Sequence, residues 1–306
     1  MASVLALALM LALVLAWAID MRFGEPRDAW HPVAWLGRLL GPIGRRLRAL
    51  PVPAAFIGGA LAWCGIALLL GVAALWLQTA LIDALGLWAA PMLALMLKPM
   101  FAWRMLRDEV AAVEAAQSHG LAAARARLSR LVSRDVQALD AQGVRESAIE
   151  TLAENLNDSL VAPLFWFAVA GLPGAVVYRF ANTADAMWGY RGDWEWAGKW
   201  TARADDMLSW LPARLTAALL LPPSRWAALR LEARRTPSPN GGWPMGAMAL
   251  RLDVRLTKPG VYALNAAAPA PVADHTRRAL RHAGVAAWLA MIASVLVWAG
   301  RAAWMR

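Results

Sequence analysis

The chain has 306 residues, 60% of them hydrophobic and 17% charged, with a mean hydropathy of +0.44. Soluble domains run nearer ~45–50% apolar and ~25% charged, so a water-soluble globular fold is excluded and a membrane protein is indicated. The net charge of +10 comes from 31 Lys and Arg. These lie between apolar segments rather than in one aromatic-interleaved patch, so they read as membrane-surface and topology charge, with no nucleic acid as partner. The single cysteine, Cys64, excludes a disulfide or thiolate metal site within the chain.

The pattern of apolar runs predicts an all-α, polytopic membrane helical bundle forming one membrane-embedded domain over 1–306. Residues 2–19 carry no charge, and at ~1.5 Å rise per residue they cross the ~30 Å hydrocarbon core. Ala16-Trp17-Ala18 would suit a signal-peptide cleavage site, but no Lys or Arg precedes the run, which favours a retained span. Residues 54–77 form a second uncharged run. Residues 81–97 form a third, with Asp83 near one end and Pro91 in the middle. Residues 283–300 form the fourth clear span, followed by Arg301. Two weaker segments lie between: 160–178, interrupted by Pro163, Gly171, Pro173 and Gly174, and 207–222, which holds Pro212 and Arg214.

Outside the spans, residues 104–132 read as a helical hairpin broken at His119-Gly120, and 143–159 as a further helix. Residues 236–246 are too dense in Pro and Gly for regular structure, and 265–273 read as an Ala/Pro linker. No segment demands a β-sheet. The connections at 20–53, 98–159 and 223–283 carry six, eight and ten Lys/Arg, which assigns them to the cytoplasm and the N-terminus to the outside. Charge counting leaves 179–206 open. It is outside if both weak segments cross, and inside if both are re-entrant or interfacial, where broken backbone must be buried in protein or line a wet cavity.

The polar clusters are few. Glu150, Glu154 and Asp158 recur at i, i+4 and i+8, on one helical face. Like charges at that spacing weaken a helix unless something neutralises them. Mg²⁺, commonly held by one or two carboxylates plus substrate phosphate, is one such partner, and a solvated polar face is the plain alternative. Arg179, Asn182 and Asp185, with Tyr190 beyond them, form a second cluster whose arginine could engage phosphate. Membrane-interface anchoring explains the Tyr and Arg but not the Asn/Asp pair. In a third, Arg203 and Asp206 can pair at i, i+3 beside a membrane-embedded segment, where charges are functional candidates. Around Asn240, Gly241 and Trp243 the backbone could approach and cradle an anion, although a surface loop has the same composition. His31, just inside the first span, is a lone histidine and by type more often structural. No phosphate-loop or dinucleotide glycine motif occurs.

Several stretches in order along the chain resemble the membrane-bound adenosylcobinamide-phosphate synthase family of cobalamin biosynthesis. They are 31–38 (HPVAWLGR), Ser133-Arg134-Asp135, Glu150 to Asn155 with Asp158, 178–190, 202–215 and 237–244 (PSPNGGWP). The chain departs from the family pattern at Leu156-Asn157, Ala184, Ala204 and the Val261-Tyr262 stretch.

The resemblance implies an ATP- and Mg²⁺-dependent ligase in the bacterial cytoplasmic membrane, with its active face cytoplasmic. It would join adenosylcobyric acid to aminopropanol or its O-phosphate through an acyl phosphate. Arg179, Asp185, Arg203 and Asp206 are then the expected catalytic residues. His31, Asn155, Asn182, Tyr190, Asn240, Gly241 and Trp243 would bind substrate, and Glu150, Glu154 and Asp158 the metal. Partners would be the corrinoid, the amino alcohol and the bilayer, with room for a homo-oligomer or for association with other cobalamin-assembly enzymes. A cytoplasmic site favours the re-entrant or interfacial reading of the two weak segments. A non-catalytic membrane sensor of the same fold and a transporter are the rival classes.

Overall fold

A computed structural model describes residues 2–304. The helices are α1 (Ala2–Phe23), α2 (Pro32–Arg48), α3 (Val52–Leu85), α4 (Ala90–Leu97), α5 (Trp103–Ala116), α6 (Leu121–Leu128), α7 (Ala141–Leu156) and α8 (Ala162–Trp188). After them come α9 (Glu195–Leu220), α10 (Trp226–Ala233), α11 (Gly242–Leu252), the strands β1 (Leu256–Lys258) and β2 (Tyr262–Leu264), and α12 (Ala273–Trp304). The protein is thus nearly all-α, with one short antiparallel hairpin pairing Lys258 with Tyr262.

Among the described residues, four helical stretches carry a run long and apolar enough to cross a bilayer: Ala2–Phe23, Val52–His119, Ala141–Trp188 and Ala273–Trp304. The run at 81–97 does not stand alone: its first residues finish α3, the chain turns at Gly86 with φ 57°, and a 3₁₀ turn at Gly86–Ala89, the eight-residue α4 and a second 3₁₀ turn at Lys98–Met100 continue it. The weaker segment 160–178 lies within another of the four stretches, Ala141–Trp188.

The chain divides into two compact units. The first comprises Met1–Ala102, Ala162–Leu208 and Met291–Arg306; the second comprises Trp103–Val161 and Ser209–Ala290. In the first, α1 packs on α4, and both α2 and α3 pack on α8. The outward side of α3 leaves Leu68 69% and Trp76 66% exposed, apolar surface that water would penalise and lipid accepts. At the head of α2, Pro32 occupies the first turn and the His31 ring accepts the Val33 N–H, satisfying a donor left free at a helix start.

Helix α8 is broken where the sequence predicts interruption. Gly171 has φ 70° and ψ −152°, a conformation that favours glycine. A Cβ on Gly174 would lie 2.2 Å from the carbonyl oxygen of Trp166, eight residues earlier. Eight residues of straight helix rise about 12 Å, so the two arms of α8 meet at a sharp corner. The Leu172 N–H freed by the break donates to the buried Gln78 Oε1 at 2.8 Å, as a broken helix in an apolar setting requires.

In the second unit α7 is central, with α5, α6, α11 and β1 packed around it. Asp140 caps it by accepting the Gly143 N–H at 2.7 Å, an ordinary acidic N-cap. α5 and α6 form the expected hairpin, turning at Gly120. The stretch 236–246 is partly helical after all, since α11 starts at Gly242. Pro244 falls in its first turn, where a missing N–H costs nothing.

Candidate functional site

The second unit places Glu150 and Glu154 of the acidic stripe, but not Asp158, in the lining of a cavity of about 310 Å³, together with Arg134, Asn155, Ser238 and Lys258. One more turn belongs to the stripe than the sequence suggested. Glu146 stands four residues before Glu150, is buried, and accepts the Thr257 N–H at 2.8 Å, which fixes the start of β1. The hairpin so anchored brings Lys258 and Tyr262 to the cavity.

The three expected metal ligands have different partners. Glu150, 3% exposed, accepts Arg134 Nη2 at 2.8 Å on one oxygen and the Tyr262 hydroxyl on the other. Asp158 accepts Asn157 Nδ2 at 2.7 Å, in a single π-helical turn at Asn157–Val161, a feature common at functional sites. Glu154 makes no hydrogen bond or ion pair among the described residues, although Asp158 and Glu150 repel it while Lys258 and Arg134 attract it. Lys258 is likewise without a hydrogen bond or ion pair, and Nη1 of Arg134 is buried without a partner.

No group of three His, Cys, Asp or Glu side chains is arranged to hold a metal among the described residues. The three carboxylates therefore do not form a ligand set by themselves, because arginine and tyrosine already occupy Glu150. What does fit is a hard cation shared between Glu154 and a phosphate, the usual arrangement for Mg²⁺.

Thr236, with Pro237 and Ser238 at the head of the Pro-Ser-Pro-Asn-Gly-Gly-Trp-Pro stretch, forms a wall of this cavity. Ser238 Oγ accepts the N–H groups of both Asn240 and Gly241, and Thr236 Oγ1 donates to the Ser238 carbonyl at 3.0 Å. A Cβ on Gly242 would come within 2.4 Å of the Ala233 carbonyl, so only glycine lets α11 start this close to the end of α10. Gly241 faces Glu154, and Asn240 and Trp243 hold Arg214. Its guanidinium donates to Asn240 Oδ1 at 2.9 Å and stacks on the Trp210 and Trp243 rings, 4.3 and 4.7 Å from their centroids.

The other expected residues lie in the first unit. Arg179 is buried, and its Nε and Nη2 both donate to the Met100 carbonyl, at 2.9 and 2.6 Å. Asn182 is 3.5 Å from Arg179 Nη1, Asp185 lies against Gly189, and Tyr190 is exposed. The expected Arg203–Asp206 pair does not form; Arg203 is exposed and makes no hydrogen bond or ion pair among the described residues. His31 Nε2 is 2.8 Å from Glu25 Oε2, and Lys98 bonds Glu25 and lies 3.0 Å from the fully buried Asp20. Burial pushes the Glu25 carboxyl up, but His31 and Lys98 outweigh it and hold it below its ordinary value of 4.5.

Arg134, Lys258 and Tyr262 were missed as candidates. The first lies in the Ser133-Arg134-Asp135 motif, and only tertiary pairing brings the other two close.

These features define a multi-pass helical membrane protein in which one unit carries a polar cavity of unpaired charges. The family pattern described as CobD/Cbib protein matches residues 13–292, and the chain belongs to that family. A cobalamin biosynthesis protein CobD of Stutzerimonas stutzeri is 38% identical over 301 residues, 94% of this chain and 97% of its own. The CobD of Rhodobacter capsulatus is 39% identical, covering 85% and 88% of the two chains. A probable CobD of Pyrococcus abyssi is 40% identical, covering 83% and 84%. No solved structure matches.

Proposed function

We propose that this protein acts in cobalamin biosynthesis as an ATP-dependent carbon–nitrogen ligase, joining adenosylcobyric acid to aminopropanol or its O-phosphate. The observation that carries the reading is the pair Glu154 and Lys258, opposite charges left without partners in one cavity beside the orphan Nη1 of Arg134. Unpaired charges in a folded cavity cost stability unless a ligand completes them. A phosphoryl group with its metal would complete all three.

A carboxylate is a poor acyl donor. One of its oxygens attacks the γ-phosphorus of ATP, ADP departs, and an acyl phosphate results. The amine nitrogen then attacks the acyl carbon, the C–O bond breaks, inorganic phosphate leaves, and the nitrogen loses a proton to solvent. Arg134 and Lys258 offset the phosphoryl charge throughout, and Glu154 is the residue that would hold Mg²⁺. The ion, when bound, supplies charge neutralisation and alignment of the phosphate oxygens. Glu150 acts through others, because its bonds to Arg134 and Tyr262 set where those side chains stand. Arg203, Asp185 and Asp206 enter the proposal on the family resemblance alone, and Arg179, tied to Met100, as a positioning residue.

The cytoplasm supplies ATP and corrinoid precursors, so the second unit is assigned to the cytoplasmic side of a bacterial inner membrane. The corner at Gly171 supports a re-entrant reading of 160–178. The test is amide formation by purified protein with ATP, Mg²⁺, adenosylcobyric acid and either amino alcohol. Product that depends on all components is expected, and no turnover with either alcohol would sink the enzymatic reading.

A further inference from the structure

A second cavity, of about 560 Å³, lies on the other side of the same wall. It shares Thr236, Pro237 and Ser238 with the first and is otherwise lined by Arg214, Arg230, Ala233, Arg234, Pro239 and Trp243. No carboxylate lines it. Arg230 and Arg234 stand four apart on and just beyond α10, on one helical face. Like charges there repel, and neither arginine makes an ion pair among the described residues. Arg214 is placed more firmly. Nη1 donates to the Trp210 carbonyl at 2.6 Å and to Asn240 Oδ1, Nη2 donates to the Pro239 carbonyl at 3.2 Å, and the plane lies over two indole rings. Every one of those partners is neutral, so the guanidinium is fixed in orientation with its charge uncompensated. Asn240, 4% exposed, is the buried group that holds it.

A cavity with three cations, no anion and one rigid planar fork is built for a polyanion. We propose that it is a phosphate-binding site, distinct from the cavity of Glu154, that takes the phosphate chain of a polyphosphate ester. Arg214 gives directional contact, since a guanidinium matches phosphate geometry, while Arg230 and Arg234 add charge at the mouth. The same chemistry could be presented by an anionic lipid headgroup, and the experiment separates the two sources.

The probe is inorganic tripolyphosphate, titrated calorimetrically into full-length protein in phosphatidylcholine nanodiscs with EDTA present. Removing divalent metal silences the metal-assisted cavity, and binding is read without turnover, so the outcome does not depend on the proposed ligase activity. The parent protein is expected to bind. The double substitution Arg230→Ala/Arg234→Ala, at two exposed positions, should weaken binding at least ~10-fold, and Lys258→Ala should leave it within about two-fold. The single reversal Arg230→Glu gives an independent check, with a loss at least as large as that of Arg230→Ala. If one-third phosphatidylglycerol weakens tripolyphosphate binding ~10-fold, lipid is the source; an unchanged affinity assigns the site to a soluble phosphate ester. Absence of binding by the parent, or parent-like binding by the double variant, overturns the proposal.

Discussion

The two units each bury a cluster of opposite charges, and the clusters are finished differently. In the first unit Asp20, Glu25, His31 and Lys98 contact one another, Lys98 reaching both carboxylates and His31 sharing Glu25. In the second, Glu150 is closed off by Arg134 and Tyr262, while Glu154 and Lys258 are left facing a cavity. The first cluster ties the end of α1, the 24–31 connection and Lys98 together through contacts among its own four side chains. The second has spare donors and acceptors of both signs. Burial and charge density are common to the two clusters, so neither marks a site. An unmet bonding requirement does.

The comparison breaks most sharply at Lys98. Replacing it by Met leaves Asp20 and Glu25 buried with one cation fewer, and removal of one partner from a buried ion network costs about 3–5 kcal/mol. Lys98→Met should therefore lower the unfolding midpoint in detergent markedly. Where folded protein survives, it should still bind nucleotide. A variant as stable as the parent would show that the cluster is not structural.

Glu154→Gln should do the reverse. The side chain has no hydrogen bond to lose, so stability should hold or rise as one of several adjacent like charges disappears. Amide formation should fall about 10²–10³-fold, the usual cost of removing one electrostatic contact to the reacting group, and more steeply at limiting Mg²⁺. Unchanged turnover at limiting Mg²⁺ would return this stripe to a solvated helix face. Arg203→Lys extends the comparison to the first unit. A severe loss of rate would place Arg203 in the chemistry, and near-parental turnover would remove it, since lysine keeps the charge but not the planar fork.

Much of this was legible because it is local. The i, i+4 spacing put Glu150 and Glu154 on one face of α7, and Gly171 with Pro173 marked the break in α8. What resisted reading was long-range. Tyr262 lies 112 residues from Glu150, and nothing in its own neighbourhood says that it will reach a carboxylate. Hydropathy shows 81–97 as a single run because it sums residues and is blind to the turn at Gly86. His31 caps α2 and contacts Glu25, and no local pattern announces the second of these partners.

Tyr262→Phe sharpens the contrast inside the second cluster. It removes one hydrogen bond to a buried carboxylate, worth about 1.5–3 kcal/mol, without touching Glu154. Stability should fall by about that amount and turnover by less than in Glu154→Gln. A rate loss equal to that of Glu154→Gln would make the tyrosine hydroxyl a contact to substrate rather than a support for Glu150.

The gentlest probe is acid. Burial raises the Glu25 carboxyl, and His31 and Lys98 more than reverse it, so its folded value lies below 4.5. A carboxyl depressed in the folded state binds its proton more weakly than in the unfolded chain. Its contribution to stability is therefore complete above the unfolded value near 4.5 and is lost as pH falls through the folded value. Other carboxylates titrate in the same range, Glu114 among them, so the informative quantity is the difference between parent and Glu25→Gln at each pH. Between pH 7 and about 5 Glu25 is ionised in both states, so its own titration leaves that deficit in place. Below about 4.5 it should shrink, since protonated Glu25 resembles the glutamine already in place. Unfolding midpoints of the two proteins in detergent between pH 7 and pH 3 provide the measurement. A deficit that stays the same down to pH 3 would mean that Lys98 and His31 do not hold Glu25 ionised, and the paired cluster would lose the feature that sets it apart from the open one.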